Sequence, residues 1–250
     1  MRIITDTNVW YELGADEPLL DSVIDEPITP TFISLSELTL SGNMVHKESE
    51  VQAACRAMIR FEKYLILEPP FVYLAKLLKG YEFDGITVFA EKLAIAERLA
   101  NGGRVAPEHR EEFREAVGHK NSVLQGGADL FNNEAKRIRA QIGDQKDEHL
   151  AIDSVPLTAN FIDFCVRENT NQEISLEDDP MQRFELLLLV LDAFFKQMEV
   201  TQTSFKRNDW YDFALLAYVQ PGDKLWTREG RWISLVREVK LDHYLYEPNR

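Results

Sequence analysis

Five acidic residues have the type and placement to act together in chemistry: Asp6, Glu37, Asp209, Asp212 and Glu229. Clustered carboxylates repel one another, so such a group is costly unless a hard divalent cation neutralises it. Mg²⁺ and Mn²⁺ prefer oxygen ligands and keep several waters, which suits a few carboxylates and a phosphate. A metal held in this way activates water near neutral pH and stabilises the leaving oxygen of a displacement at phosphorus. The five residues therefore predict metal-dependent hydrolysis of a phosphate ester.

Short strands must bring these acids to one edge of a sheet, because ligands of open α/β sheets lie beyond the carboxyl ends of the strands. The apolar pair Ile3–Ile4 is followed at once by polar residues, which predicts a buried strand that ends at Asp6. Further strands are predicted at residues 31–34, 64–67, 224–227 and 244–246, with helices between the first four. This alternation predicts a mainly parallel sheet.

The other acids follow the same logic of placement. Glu37 lies in the first turns of the helix that follows the second strand. Ser34 or Ser36 is predicted to cap this helix. Asp209 and Asp212 are three residues apart, so they share one face near the start of a helix over 209–219. Asp6 has a second interpretation, since an Asp that follows a strand can serve only as the N-cap of the next helix.

Residues 80–200 have a different pattern, dominated by helical periodicity. The glycine pairs Gly102-Gly103 and Gly126-Gly127 are predicted to separate its helices, which are placed at 89–100, 108–117, 130–142, 161–166 and 181–198. This segment also carries most of the excess negative charge, which is typical of a solvated helical surface. We therefore expect one catalytic domain from residues 1–79 and 201–250, with a helical insertion over 80–200 packed on it.

Composition excludes several classes of protein. The chain has 250 residues and a net charge of −14, so nucleic acid can bind only at a local basic patch. Cys55 and Cys165 are far apart, and the five histidines show no paired spacing, which argues against a disulfide framework and a zinc site. The sequence has no P-loop and no dinucleotide-binding glycine pattern. With no signal peptide and no apolar run of membrane-spanning length, we expect a cytoplasmic protein.

Four motifs, taken in order along the chain, resemble those of PIN-domain nucleases. The resemblance covers residues 1–79 and 201–250, with an apolar segment at 65–69 where the family has its third strand. The motifs are Ile3-Ile-Thr-Asp-Thr-Asn8, Ile33-Ser-Leu-Ser-Glu-Leu38, Asn208-Asp-Trp-Tyr-Asp-Phe-Ala-Leu-Leu-Ala217 and Leu225-Trp-Thr-Arg-Glu229.

This resemblance implies a three-layer α/β/α sandwich and Mg²⁺- or Mn²⁺-dependent cleavage of phosphodiester bonds, usually in RNA. Asp6 would be the family's first acid, Glu37 its second, Asp209 or Asp212 its third, and Glu229 its fourth. The chain departs from the family by having Glu at the fourth position, where Asp or Asn is commoner. The insertion over 80–200 is also foreign to a minimal domain, so the resemblance gives it no role.

The charge balance reverses around the last two motifs, where residues 204–237 contain more basic than acidic side chains. A basic rim around an acidic centre would let a nuclease grip phosphates. We expect Arg228 and Arg231 to contact substrate phosphates, with Asn8 and Thr227 as further substrate contacts. Single-stranded RNA is the expected substrate. A homodimer, and a protein partner bound at the acidic insertion, are also compatible with the sequence.

Two other functions belong to different classes. One is a catalytically silent domain of this fold that acts as a scaffold, which retention of all the acids argues against because unused clustered carboxylates cost stability. The other is a phosphatase with Asp6 as nucleophile, which would want a second Asp at the position of Asn8. Trp10, Trp210 and Trp232 each lie near an acid in sequence and could stack on a base, but aromatic side chains of this kind more often pack in the core.

Overall fold

The chain, described here by a computed structural model at residues 1–82, 86–173 and 183–248, folds into a mixed α/β structure with a small parallel sheet. Its strands are β1 (Ile3–Thr5), β2 (Ile28–Thr29) and β3 (Lys224–Trp226), in the order β2-β1-β3. Ile3 pairs with both Ile28 and Lys224, so the two ends of the chain meet in one sheet. The expected mixed α/β class and parallel strand direction are confirmed.

Most of the remaining chain is helical, and no helix among the described residues is both long and apolar enough to cross a membrane. The helices are α1 (Thr7–Ala15), α2 (Glu17–Ser22), α3 (Phe32–Thr39), α4 (Asn43–His46), α5 (Glu48–Ile59), α6 (Pro70–Lys79), α7 (Ile86–Ala100), α8 (Arg110–Ile142), α9 (Lys146–Leu150), α10 (Val155–Thr170), α11 (Glu185–Val200), α12 (Asp209–Leu216) and α13 (Gly230–Glu238). Residues 181–182, the start of the helix predicted over 181–198, lie outside the described residues.

Both faces of the sheet are buried. Successive side chains of a strand point to opposite faces, and Ile3 and Ile4 of β1 are both fully buried. Ile3 lies in one hydrophobic cluster with residues of α1, α3, α5 and α7, whereas Ile4 lies in the other with residues of α6, α8 and α10–α13. Helix α11 is apolar on nearly all sides and is largely buried, as such a helix must be. The helices of residues 80–200 therefore pack in the same two hydrophobic clusters as residues 1–79 and 201–250.

The prediction of a strand over 31–34 is wrong, because these residues begin helix α3. Thr31 is its N-cap and accepts a hydrogen bond from the backbone N–H of Ser34 at 3.4 Å, so the predicted caps Ser34 and Ser36 are wrong as well. Ser34 lies inside the helix and donates its hydroxyl to the carbonyl of Thr5 at 3.1 Å. This bond ties α3 to the end of β1 and thereby fixes the position of Glu37.

The strands predicted at 64–67 and 244–246 are each reduced to one isolated pairing. Ile66 forms a parallel bridge with Thr31, and Leu245 forms one with Leu225. Each bridge is preceded by a short 3-10 helix, at Glu62–Tyr64 and at Asp242–Tyr244. Little extended chain is therefore left for strand pairing.

Gly126 and Gly127 do not interrupt a helix, because both lie inside α8, which has 33 residues. Gly127 instead allows a close approach: a Cβ at this position would lie 2.9 Å from Cζ2 of Trp210. The Trp210 indole donates a hydrogen bond to the carbonyl of Leu124 at 3.0 Å and packs against Phe205. The missing side chain of Gly127 therefore lets Trp210 dock on α8.

Gly127→Ala is expected to lower the free energy of unfolding by roughly 1 kcal/mol. Overpacking against the Trp210 ring costs about 1–3 kcal/mol, which outweighs the roughly 1 kcal/mol that Ala gains over Gly in a helix. Gly126→Ala is the matched control, because a Cβ there meets nothing within 4 Å and should stabilise the protein. Urea unfolding of both variants checks this, and equal stabilities would contradict it.

Candidate active site

Asp6 both caps a helix and lies at the sheet edge, so its two interpretations are compatible. It is the N-cap of α1, and its Oδ1 accepts from the backbone N–H of Val9 at 3.0 Å. Its Oδ2 accepts from the Thr227 hydroxyl and from the backbone N–H of Arg228 at 3.0 Å. Burial raises the pKa of Asp6, and these hydrogen bonds oppose the rise. The carboxylate is thus fixed between the ends of β1 and β3.

Glu37 belongs to the last turn of α3 and lines the same cavity as Asp6. The hydroxyl of Thr7 donates a short hydrogen bond to its Oε2. Burial raises the pKa of Glu37 to about 7, with smaller contributions from the charges of Asp6 and Glu229. The contact with Thr7 links this carboxylate to the first turn of α1, directly after Asp6.

The structure separates Asp212 from Asp209, which the sequence left as alternatives for the third acid. Asp209 is 5% exposed and accepts hydrogen bonds from the backbone N–H of Lys206 at 2.6 Å and from Nη1 of Arg231 at 2.8 Å. Asp212 instead faces the other acids: burial first, and then the charges of Glu37, Glu229 and Asp6, raise its pKa to about 8. Of this pair, Asp212 alone lines the cavity described next.

Asp6, Glu37, Asp212 and Glu229 line a single cavity of about 440 Å³. Glu229 precedes α13 and accepts a hydrogen bond from the side-chain amide of Asn8 at 2.6 Å. The four carboxylates come from the ends of β1 and β3 and from α3 and α12. The rest of the wall is mostly polar and includes Tyr11, Asn43, Asn121, Asn208 and Tyr211.

The arginines expected to bind phosphates are engaged elsewhere. Arg228 pairs with Glu12 at 2.5 Å and lies over the ring of Trp226, while Arg231 pairs with Asp209 and lies over Phe194. Neither lines the cavity. Thr227 contacts Asp6 and Asn8 contacts Glu229, so these two residues hold the acids in position.

The basic side chains that do line the cavity are Lys120 and Arg207. Lys120 belongs to α8, its Nζ donates to the carbonyl of Leu40, and it lies 5.4 Å from the ring centroid of Tyr211. Burial lowers its pKa, and the charge of Glu37 opposes this. Sequence reasoning missed Lys120 because no local signal separates it from the other lysines of the acidic helical segment.

The tryptophans near the acids are structural. Trp10 and Trp232 are buried in the core, and Trp210 packs between α8 and Phe205. The aromatic rings that reach the cavity are Tyr11 and Tyr211, each beside one of the tryptophans in sequence. Core packing, the commoner role of such tryptophans, is confirmed for all three.

The donors of the cavity suit a partly hydrated Mg²⁺ or Mn²⁺, since they are hard oxygens. Within the described part of the chain, no group of three or more Asp, Glu, His or Cys side chains is arranged so that it could hold a metal ion. An ion that keeps several waters needs only one or two carboxylates. The raised pKa values of Glu37 and Asp212 reflect buried charge that a cation would relieve.

These raised pKa values predict that the metal-free protein loses stability as the pH rises. The folded protein holds protons on Glu37 and Asp212 up to about pH 7 and 8, whereas in the unfolded chain both carboxyls ionise near pH 4. The stabilising protonation is fully present below about pH 4 and is lost as the pH rises to 8. For the coupled pair the loss is on the order of a few kcal/mol.

Asp212→Asn isolates this effect, because asparagine resembles the protonated carboxyl. With a chelator present, the variant and the wild type should unfold at similar temperatures at pH 5, and the variant at a clearly higher temperature at pH 8. Thermal unfolding across this range checks the prediction. A parallel decline in both proteins would show that Asp212 is not the titrating group.

No protein-family model, no curated protein and no solved structure matches this chain, so the resemblance to PIN-domain nucleases is carried by its four motifs.

Proposed function

We propose that this protein is a metal-dependent endonuclease that cleaves single-stranded RNA at the cavity lined by Asp6, Glu37, Asp212 and Glu229. The observation that carries the proposal is the convergence of these four carboxylates, from positions up to 223 residues apart, on one polar cavity. The small parallel sheet with helices on both faces supports a three-layer α/β/α sandwich of PIN type.

In this proposal the carboxylates of Asp6, Glu37, Asp212 and Glu229 would hold the metal. The bound cation supplies an activated water and neutralises charge that develops on the phosphate. The chain keeps the ligands in place: Thr227 and the Arg228 backbone N–H hold Asp6, Thr7 holds Glu37 and Asn8 holds Glu229. Such supporting contacts set ligand orientation and affect metal affinity.

Glu37 and Asp212 also carry protons that matter to binding. With pKa values of about 7 and 8, they are partly protonated at neutral pH without a cation. Ligands must be ionised to bind a metal, so binding is expected to release protons and to tighten as the pH rises.

The proposal is tested with labelled single-stranded RNA, the matching duplex and single-stranded DNA. The wild type with Mn²⁺ or Mg²⁺ should cleave internal bonds of the single-stranded RNA, and a chelator should abolish cleavage. Asp6→Asn should lower the rate by orders of magnitude because a charged ligand is removed. Cleavage that persists in the chelator or in Asp6→Asn would show that the proposed mechanism is wrong.

A scaffold without catalysis is the second candidate. It is favoured by the observation that, among the described residues, no group of three or more Asp, Glu, His or Cys side chains could hold a metal ion. Titration calorimetry separates the two functions. A nuclease should bind Mn²⁺ with proton release, and Asp212→Asn should weaken that binding. A scaffold should show neither cation binding nor cleavage.

A further inference from the structure

The helical segment over residues 80–200 contributes part of the cavity wall. Val117, Lys120 and Asn121 of α8 line the same cavity as Asp6. None of the four motifs that suggested a nuclease includes these residues. The motifs therefore give no role to the part of the cavity wall that α8 forms.

Lys120 is held so that its charge stays in the cavity. Its ammonium donates to the carbonyl of Leu40, the C-cap residue directly after α3, and carbonyls at a helix C-terminus attract cations. Nζ of Lys120 also lies 5.4 Å from the centroid of the Tyr211 ring, in a cation–π contact. An ammonium has three N–H donors, so the contact with Leu40 leaves two for a ligand.

The cavity lining carries charges of both signs, and the charges of Lys120 and Glu37 act on each other. Asp6, Glu37, Asp212 and Glu229 are its acidic members, while Lys120 and Arg207 are the basic members among the described lining residues. A phosphodiester needs cationic partners for its own charge as well as a metal at the carboxylates. Arg228 and Arg231 do not line the cavity, and each is paired with a carboxylate outside it.

We propose that Lys120, together with Arg207, binds a backbone phosphate of the single-stranded substrate, so that α8 forms the substrate-binding wall of the cavity. This inference rests on the proposed nuclease function and extends it to a segment for which the motifs give no role. The α8 wall positions the strand, while the four carboxylates act at the bond to be cleaved.

The test compares Lys120→Gln with Lys136→Gln. Gln at position 120 keeps an N–H donor but lacks the charge. Lys136 is an exposed residue of the same helix, so its variant changes the net charge equally. Both substitutions are made in Asp212→Asn, which should bind RNA without cleaving it. Fluorescence anisotropy with a labelled single-stranded RNA and Mn²⁺ then gives the affinity over a series of salt concentrations.

Lys120→Gln should weaken RNA binding roughly tenfold, the effect of losing a charged hydrogen bond. It should also reduce the slope of log affinity against log salt by about 0.7, the value for one phosphate contact in a single strand. Lys136→Gln should change neither quantity. In the otherwise wild-type enzyme, Lys120→Gln should raise KM more than it lowers kcat.

Equal affinities and salt slopes for the two variants would overturn the inference. Weaker binding with an unchanged slope would also overturn it, because that pattern reports a structural effect without a phosphate contact. If Lys120→Gln does not fold, Arg207→Gln provides the test, since Arg207 is exposed and a loss of about 0.7 in slope is expected there too. An unchanged slope in Arg207→Gln would then overturn the inference.

Failure of the proposed function gives a different pattern. A wild-type protein that neither cleaves nor binds RNA with Mn²⁺ would remove both the nuclease function and the role of Lys120. A wild-type protein that cleaves RNA, with Lys120→Gln indistinguishable from Lys136→Gln, would remove the role of Lys120 alone.

Discussion

Asp212→Asn is expected to lower the rate of RNA cleavage roughly a thousandfold while the protein remains folded. Asp212 lines the cavity with the other three acids, and their charges help to raise its pKa. Asparagine keeps the shape of the side chain but removes a charged metal ligand. It also removes one repelling charge, so the variant should be at least as stable as the wild type near pH 8.

Asp209→Asn is the matched control, because Asp209 lies three residues away on the same helix and outside the cavity. Its cleavage rate should stay within a few-fold of the wild type. Single-turnover cleavage of labelled RNA with Mn²⁺ compares the two variants. A greater loss in Asp209→Asn than in Asp212→Asn would exchange their roles and contradict the assignment of the third acid.

Asp209→Ala is expected to have the largest effect on stability, lowering the free energy of unfolding by about 2–4 kcal/mol. The substitution leaves the Arg231 guanidinium without its carboxylate partner in a site where Asp209 is 5% exposed and Arg231 is partly buried. It also deprives the backbone N–H of Lys206 of its acceptor. Removing one member of a buried ion pair is costly because the remaining charge is still desolvated.

Asp242→Ala is a suitable comparison, since Asp242 pairs with Arg237 at 3.7 Å and both side chains are more than half exposed. An exposed pair contributes little, so this change should stay within roughly 0.5 kcal/mol of the wild type. Urea unfolding at pH 7 measures both variants. If Asp209→Ala were as mild as Asp242→Ala, the pair between Asp209 and Arg231 would not be the structural element inferred here.

Local patterns were sufficient for some elements of the fold and misleading for others. The strand at Ile3–Ile4 and its end at Asp6 follow from a short apolar run and a capping residue, both of which act within a few residues. The second strand was misplaced because Thr31 and Ile33 favour a strand by type, whereas Thr31 caps a helix and the strand lies at Ile28–Thr29, between two prolines. Gly126-Gly127 is typical of a helix break by residue type, whereas the partner that explains Gly127, Trp210, is 83 residues away in sequence.

The sequence by itself determined Asp6, Glu37 and Glu229 as acids of the site and left Asp209 and Asp212 as alternatives, because the motifs that contain them are local in sequence. The tertiary structure placed Asp212, and not Asp209, in the cavity. It also decided which other charges join these acids. It paired Arg231 with Asp209 and Arg228 with Glu12, and it brought Lys120 to the cavity from a helix with no motif. The physical reason is that burying a charge is costly unless packing places a partner beside it. Those partners come from distant parts of the chain.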